Sequence, residues 1–257
     1  MTKKLLITLS ILTLFASCGT RRTAVQVQDP ATFDEGVVIN GIRWATRNVD
    51  APGRFAESPE SFGMLFLWNS KQGVSLRALL EIEDYYDYLK ELERWDCIEE
   101  LVIYVDKKFA KLEDTDIEGT KWYAENDPCP PGWRVPTQAE LQSLTGAISI
   151  MDILANETSE PLVNQNDTSV WTTLNGVNGR LFGTAPNQIF LPAAGMLVGG
   201  YFYLEFYNEH GFYWSGTECV SDCGIVSAWY LDFTIEHNVM INIFGREFGL
   251  PVRCVAK

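Results

Sequence analysis

The chain has 257 residues, of which 34 are Asp or Glu against 20 Lys or Arg, for a formal net charge of −14. That balance excludes a binder that tracks nucleic-acid phosphates, which needs a basic face to release counterions. A hydrophobic fraction of 46% argues against disorder and allows a sizeable core, while two histidines leave little room for a His-rich metal site.

Lys3 and Lys4 precede an apolar run, Leu5 to Ala16, that is too short for a membrane span of roughly 20 residues. Leu14-Phe15-Ala16-Ser17-Cys18 then sets small residues directly before a cysteine. The arrangement resembles a bacterial lipobox and implies cleavage before Cys18, whose thiol takes a diacylglycerol. Residues 1–17 therefore read as a lipoprotein signal peptide. Residues 18–35 read as the lipidated cysteine and a polar tether without sustained period. The expected location is the outer membrane, lipid-anchored. Gly19-Thr20-Arg21-Arg22 is basic and tilts the expectation towards the periplasmic face.

Five further cysteines remain, Cys97, Cys129, Cys219, Cys223 and Cys254. An envelope compartment permits disulfides, and an odd number leaves at least one thiol free or paired between chains. Cys219 and Cys223 could close a small disulfide loop. Neither has the second Cys/His pair that a zinc site needs, so no metal is expected.

From Val37 the chain turns strand-like. Asn40-Gly41 between Val37-Val38-Ile39 and Ile42-Arg43-Trp44 is a hairpin signal. Phe62 to Trp68 reads as a buried segment after the Pro52-Gly53 turn. Leu76, Leu79, Leu80, Tyr86, Leu89 and Leu92 then recur at helical spacing among Glu81, Glu83, Asp84, Asp87, Glu91 and Glu93. This predicts an amphipathic acidic helix over 75–95, its carboxylates a solvated face rather than an acid/base pair. A strand at Leu101–Val105 follows. Thr137 and Glu140 form the capping-box pair of a second helix, with Leu141 and Leu144 as its apolar stripe. The remainder is a series of short strand-like segments. These fall at Val170–Thr173, Leu181–Phe182, Ile189–Leu191, Phe212–Trp214, Ala228–Ile235, Val239–Phe244 and Leu250–Val255. Helices early and short strands late predict an α+β fold.

At Asp127-Pro128-Cys129-Pro130-Pro131-Gly132-Trp133-Arg134-Val135-Pro136-Thr137 a wider pattern emerges. With Asn40-Gly41-Ile42-Arg43-Trp44-Ala45, Leu191-Pro192-Ala193-Ala194-Gly195, Tyr213-Trp214-Ser215-Gly216-Thr217 and Gly249-Leu250-Pro251-Val252-Arg253-Cys254, it resembles the Fibrobacter succinogenes major paralogous domain. That is a family of bacterial envelope proteins often made as lipoproteins. The resemblance spans 36–257, with the acidic stretch at about 70–110 as an insertion. It implies a C-type-lectin-like α+β domain of short strands and one capped helix. It also implies a disulfide between Cys129 and Cys254, with Cys97 a possible competitor.

The fold name invites a calcium-dependent lectin, but neither a Glu-Pro-Asn-like loop nor a Trp-Asn-Asp strand occurs, so no calcium ligand set is expected. The helix start at Arg134–Glu140 is also similar to that of formylglycine-generating enzymes. The redox cysteines their chemistry needs would have to be Cys219 and Cys223. His210 and His237 lie in turn-like stretches without a nucleophile motif around them. Neither an enzyme nor a cofactor is expected. Aromatic density at Tyr201, Phe202, Tyr203, Phe206 and Tyr207 carries the binding expectation, because flat rings with a polar handle stack on sugars or anchor protein partners. Tyr201, Tyr203 and Tyr207 are the candidate ligand contacts. Trp214 and Trp229 read as core. The function expected is thus non-catalytic binding of a glycan or envelope protein. The alternative is an assembly subunit of a surface complex that docks through Glu81, Asp84 and Glu91 of the insertion.

Overall fold

The computed structural model describes residues 29–81, 121–146, 148–149, 169–198, 203–220, 226–235 and 239–257. The lipobox with Cys18, Cys97, Tyr201, Cys223 and His237 lie outside them, as does the acidic insertion beyond Glu81.

The described chain is mostly β, which overturns the α+β, C-type-lectin-like expectation. Two α-helices, residues 76–81 (α1) and Gln138–Thr145 (α2), and a short 3-10 helix at Ala124–Asn126 are described, while the strands are spread over several small sheets. The capping-box signal is realised at α2. Thr137 Oγ1 accepts from Glu140 N, Glu140 Oε2 accepts from Thr137 N, and Gly146 ends the helix. One eight-residue helix does not make a layer, however, and it packs as a plug against strands. Of the expected inserted helix only its start falls within the described residues, with Leu76 and Leu79 buried and Glu81 exposed.

The strands run β1 (Val37–Ile39), β2 (Ile42–Trp44), β3 (Val49–Ala51), β4 (Arg54–Phe55), β5 (Met64–Leu67) and β6 (Gly73–Ser75). After them come β7 (Trp133–Arg134), β8 (Ile148–Ser149), β9 (Val170–Leu174), β10 (Val177–Thr184), β11 (Asn187–Pro192) and β12 (Met196–Val198). The last six are β13 (Tyr203–Glu205), β14 (His210–Val220), β15 (Val226–Thr234), β16 (Met240–Phe244), β17 (Gly249–Leu250) and β18 (Val255–Ala256). Their sheets are ordered β1-β2-β18-β7, β11-β10-β9, β13-β12-β17-β5-β6, β14-β15-β16-β8 and β3-β4. The Asn40-Gly41 turn closes β1 on β2 with Ile39 opposite Ile42.

The hairpin β14–β15 organises the interior because both of its faces are apolar. Phe212, Trp214, Ala228 and Tyr230 point into one cluster with Trp68, Trp133 and Leu250. Tyr213, Leu231 and Phe233 alternate into a second with Trp44, Leu141, Phe182 and Ile241. This period-two division is what strands buried on both sides require. A register shift between Trp214 and Glu218 bends the hairpin. Trp68 Nε1 donates to Ser215 O and Trp214 Nε1 to Phe66 O, both at 2.8 Å, so two buried indoles tie β5 to β14. Trp214 is fully buried, whereas Trp229 is half-buried at the edge of the second cluster.

A fully buried Arg253 closes the fold. Its guanidinium donates to Asn48 Oδ1, Ala45 O and Phe190 O at 2.8 to 3.1 Å. Burial lowers its pKa to about 10, which leaves it charged at neutral pH. Cys129 and Cys254 are joined by a disulfide across 125 positions, consistent with the pairing the resemblance implies.

Candidate functional site

The chain leaves β13, passes over Phe206–Glu209 and enters β14. Backbone bonds lock this crossing: Asn208 N donates to Ala193 O at 2.8 Å, His210 N to Phe206 O at 3.0 Å and Gly195 N to His210 O at 2.9 Å. Two residues of the crossing are left-handed, Phe206 at φ 57° and Asn208 at φ 61°. Asparagine adopts that conformation readily. For a residue with a bulky side chain it costs about 1–2 kcal/mol. The turn is held from beneath by Gly195, itself at φ 67°, where a Cβ would come within 2.8 Å of Tyr207 N. Only glycine lets the crossing lie this close.

The result is an aromatic ledge. Phe206 is 40% exposed and Tyr207 37%. The Phe206 ring lies 4.6 Å from the His210 imidazole, which stacks at 5.6 Å and 21° on Phe212. Phe212 is buried and meets Tyr230 at 5.9 Å, so the ledge is footed in the core. Tyr207 packs at 5.0 Å on Phe62.

Polar groups flank the rings. Asn178 N donates to Asn208 Oδ1 at 2.8 Å and Asn178 Nδ2 to Asn208 O at 3.1 Å, which joins the β9–β10 hairpin to the crossing. Thr173 Oγ1 donates to Asn178 Oδ1 at 2.7 Å. At the tip of that hairpin Asn175 Nδ2 donates to Glu60 Oε1 at 2.7 Å, and Glu60 lies two residues before Phe62. The bond from Asn175 is the chief cause holding the Glu60 carboxyl below its ordinary value. Rings, amides, a hydroxyl and a carboxylate on one rim can stack on a flat apolar face and bond the hydroxyls or amides at its edge.

Of the sequence candidates, Tyr207 is on this ledge. Tyr203 is in β13, opposite Val198. Cys219 carries a free, half-buried thiol that burial and then the Glu218 carboxylate push up. Such a thiol is a poor nucleophile. Its expected partner Cys223 lies outside the described residues. Among the described residues no group of three His, Cys, Asp or Glu side chains is placed to hold a metal ion. Glu81 is exposed and pairs with Arg77 at 3.3 Å.

The structure keeps Phe206 and Tyr207 of the aromatic run read from the sequence and adds Phe62, with Glu60, Asn175, Asn178 and Asn208 around them. Asn208-Glu209-His210-Gly211 carried a turn signal for the crossing, but nothing local marks Phe62, which arrives from 145 positions away. Comparison with protein-family models, with curated proteins and with solved structures finds no match.

Proposed function

We propose that the chain is a non-catalytic, lipid-anchored envelope protein that binds a glycan or protein ligand, with the Phe206–Tyr207 ledge as its contact surface. The observation that carries this reading is Phe206, a large ring kept exposed in a left-handed backbone. Strain of that kind persists where surrounding structure enforces it, and it concentrates at sites that bind. The neighbouring amides support a ligand rich in hydroxyl or amide groups. The Lys3–Cys18 pattern supports the anchor, and the outer membrane with its periplasmic face is the location it favours.

The test is a glycan array probed with the full chain in a non-glycosidic detergent, once with calcium and once with EDTA. Wild type is compared with Phe206→Ala and Tyr207→Ala. Ring-dependent hits indifferent to EDTA are expected, each substitution weakening binding by about tenfold or more. Hits that survive both substitutions would remove the ledge from the role.

A further inference from the structure

A concavity lies at the opposite end of β10 from the ledge. It is a cleft of about 380 Å³ between the β1–β2 turn, the C-terminus of α2 and the β10–β11 turn. That volume lies near the lower end of the roughly 300–1,000 Å³ of small-molecule sites. Its lining is mainly polar, with Asn40, Ser143, Thr184 and Asn187, while the buried residues Ile39 and Leu144 add a smaller apolar part. None of the described lining residues is ionisable.

The rim is built rather than loose. Asn40 is left-handed at φ 50° and its Nδ2 donates to Ser143 O at 2.7 Å, which ties the turn to the helix across 103 positions. That bond fixes the amide with Oδ1 as its acceptor end. Thr184 and Asn187 close the opposite hairpin as a backbone pair. Gly183, at φ 93°, lets that hairpin press against Ile39, whose Cδ1 would lie 2.9 Å from any Cβ there.

These features select a ligand class. An ionised ligand would lose hydration without meeting a countercharge. An anion would also face the negative end of the α2 dipole. Hydroxyl groups, which donate and accept together, match a lining of amides and hydroxyls, and the smaller apolar part at Ile39 and Leu144 suits the C–H face of a ring. We infer that the cleft binds an uncharged polyol, a saccharide of one or two rings. It shares no residue with the ledge. Asn178 and Thr184 lie six positions apart on one strand, a separation of about 20 Å, so one extended ligand can reach both.

The full chain in a non-glycosidic detergent is titrated with maltose, cellobiose and N,N′-diacetylchitobiose, and with glucuronic acid as the anionic comparison. The methyl signals of Ile39 and Leu144 are followed by NMR. At least one disaccharide should shift both methyls saturably, and glucuronic acid should not. Asn187→Ala and Thr184→Tyr should each weaken the effect by about tenfold, whereas Phe206→Ala should leave it intact. Both cleft substitutions fall on an exposed turn, and methyl dispersion reports the fold of each. The inference is overturned if no disaccharide moves these methyls, or if the shifts persist undiminished in Thr184→Tyr. Binding lost in Phe206→Ala and kept in both cleft variants would leave the ledge standing and remove the cleft.

Discussion

Arg253 and Asn48, 205 positions apart, meet in the buried interior through two hydrogen bonds to one amide oxygen, at 3.0 and 2.8 Å. Among the described residues the guanidinium's hydrogen bonds go to the neutral oxygens of Asn48, Ala45 and Phe190 rather than to a carboxylate. Removing the amide leaves a desolvated guanidinium with two of its donors unused. Asn48→Ala should therefore cost about 3 kcal/mol, because hydrogen bonds to a buried charge are the expensive ones to lose. Urea unfolding at neutral pH checks this, and a loss below about 1 kcal/mol would mean that water replaces the amide.

Phe206 separates stability from binding. Phe206→Gly relieves the left-handed backbone, whereas Phe206→Ala removes the ring and keeps the strain. The glycine variant should be the more stable of the two by about 1 kcal/mol, since both lose the His210 contact. Both should bind ligand equally poorly. Thermal unfolding alongside array binding distinguishes this from a ring that merely packs.

Acid should loosen α2. Burial raises the Glu140 carboxyl, but hydrogen bonds from Arg134 and Thr137 together outweigh it and hold the group below its ordinary value. A carboxyl lowered on folding stabilises the fold above its unfolded pKa, and that contribution disappears as pH falls through the folded value. Wild type should lose stability on acidification below about pH 4.5, the ordinary value for this group. Glu140→Gln should show a shallower slope there. Stability measured across pH 3 to 7 gives the comparison, on the order of one proton's linkage.

Reduction of Cys129–Cys254 should lower stability by about 4–5 kcal/mol, because the bridge closes a long loop in the unfolded chain. The double substitution to serine should match reduced wild type in thermal unfolding. A shift of only a degree or two would show that the unfolded chain is already held together elsewhere.

Cys18→Ser should abolish incorporation of labelled palmitate and release the protein from the membrane fraction. Labelling that persists would assign the acyl group to another cysteine.

What could be read from the sequence was what neighbouring residues decide. Asn40-Gly41 specified its hairpin, and Thr137 with Glu140 specified the helix start. Phe212-Tyr213-Trp214 read as a short strand-like segment, though nothing local showed that both of its faces would be buried. The fold class failed because local helix signals say nothing about how many helices form a layer. Val239 and Ile241 are buried as their alternation suggested, while Ile243 is half-exposed at the end of β16. The aromatic run with Phe206 and Tyr207 was legible. Phe62's contact with it is distant in sequence and was not, nor was the left-handed backbone at Phe206, which its residue type disfavours. Arg253 looked like part of a motif, but its role rests on three oxygens from two remote segments.

The placement of β18 has a consequence for how the chain comes to be folded. Val255 pairs with both Trp44 and Arg134, and Lys257 N donates to Gly132 O, so residues 253–257 lie between the earliest hairpin and the middle of the chain. Arg253 and Cys254 seat themselves only when this segment arrives. A ribosome must therefore finish residue 257 before the first sheet can close, and until then β1 and β2 lack their central strand. Folding dominated by such distant pairings is slow. Under the proposal of a lipid-anchored envelope protein, that delay would keep the polypeptide open for transit, with closure deferred to the far side of the membrane.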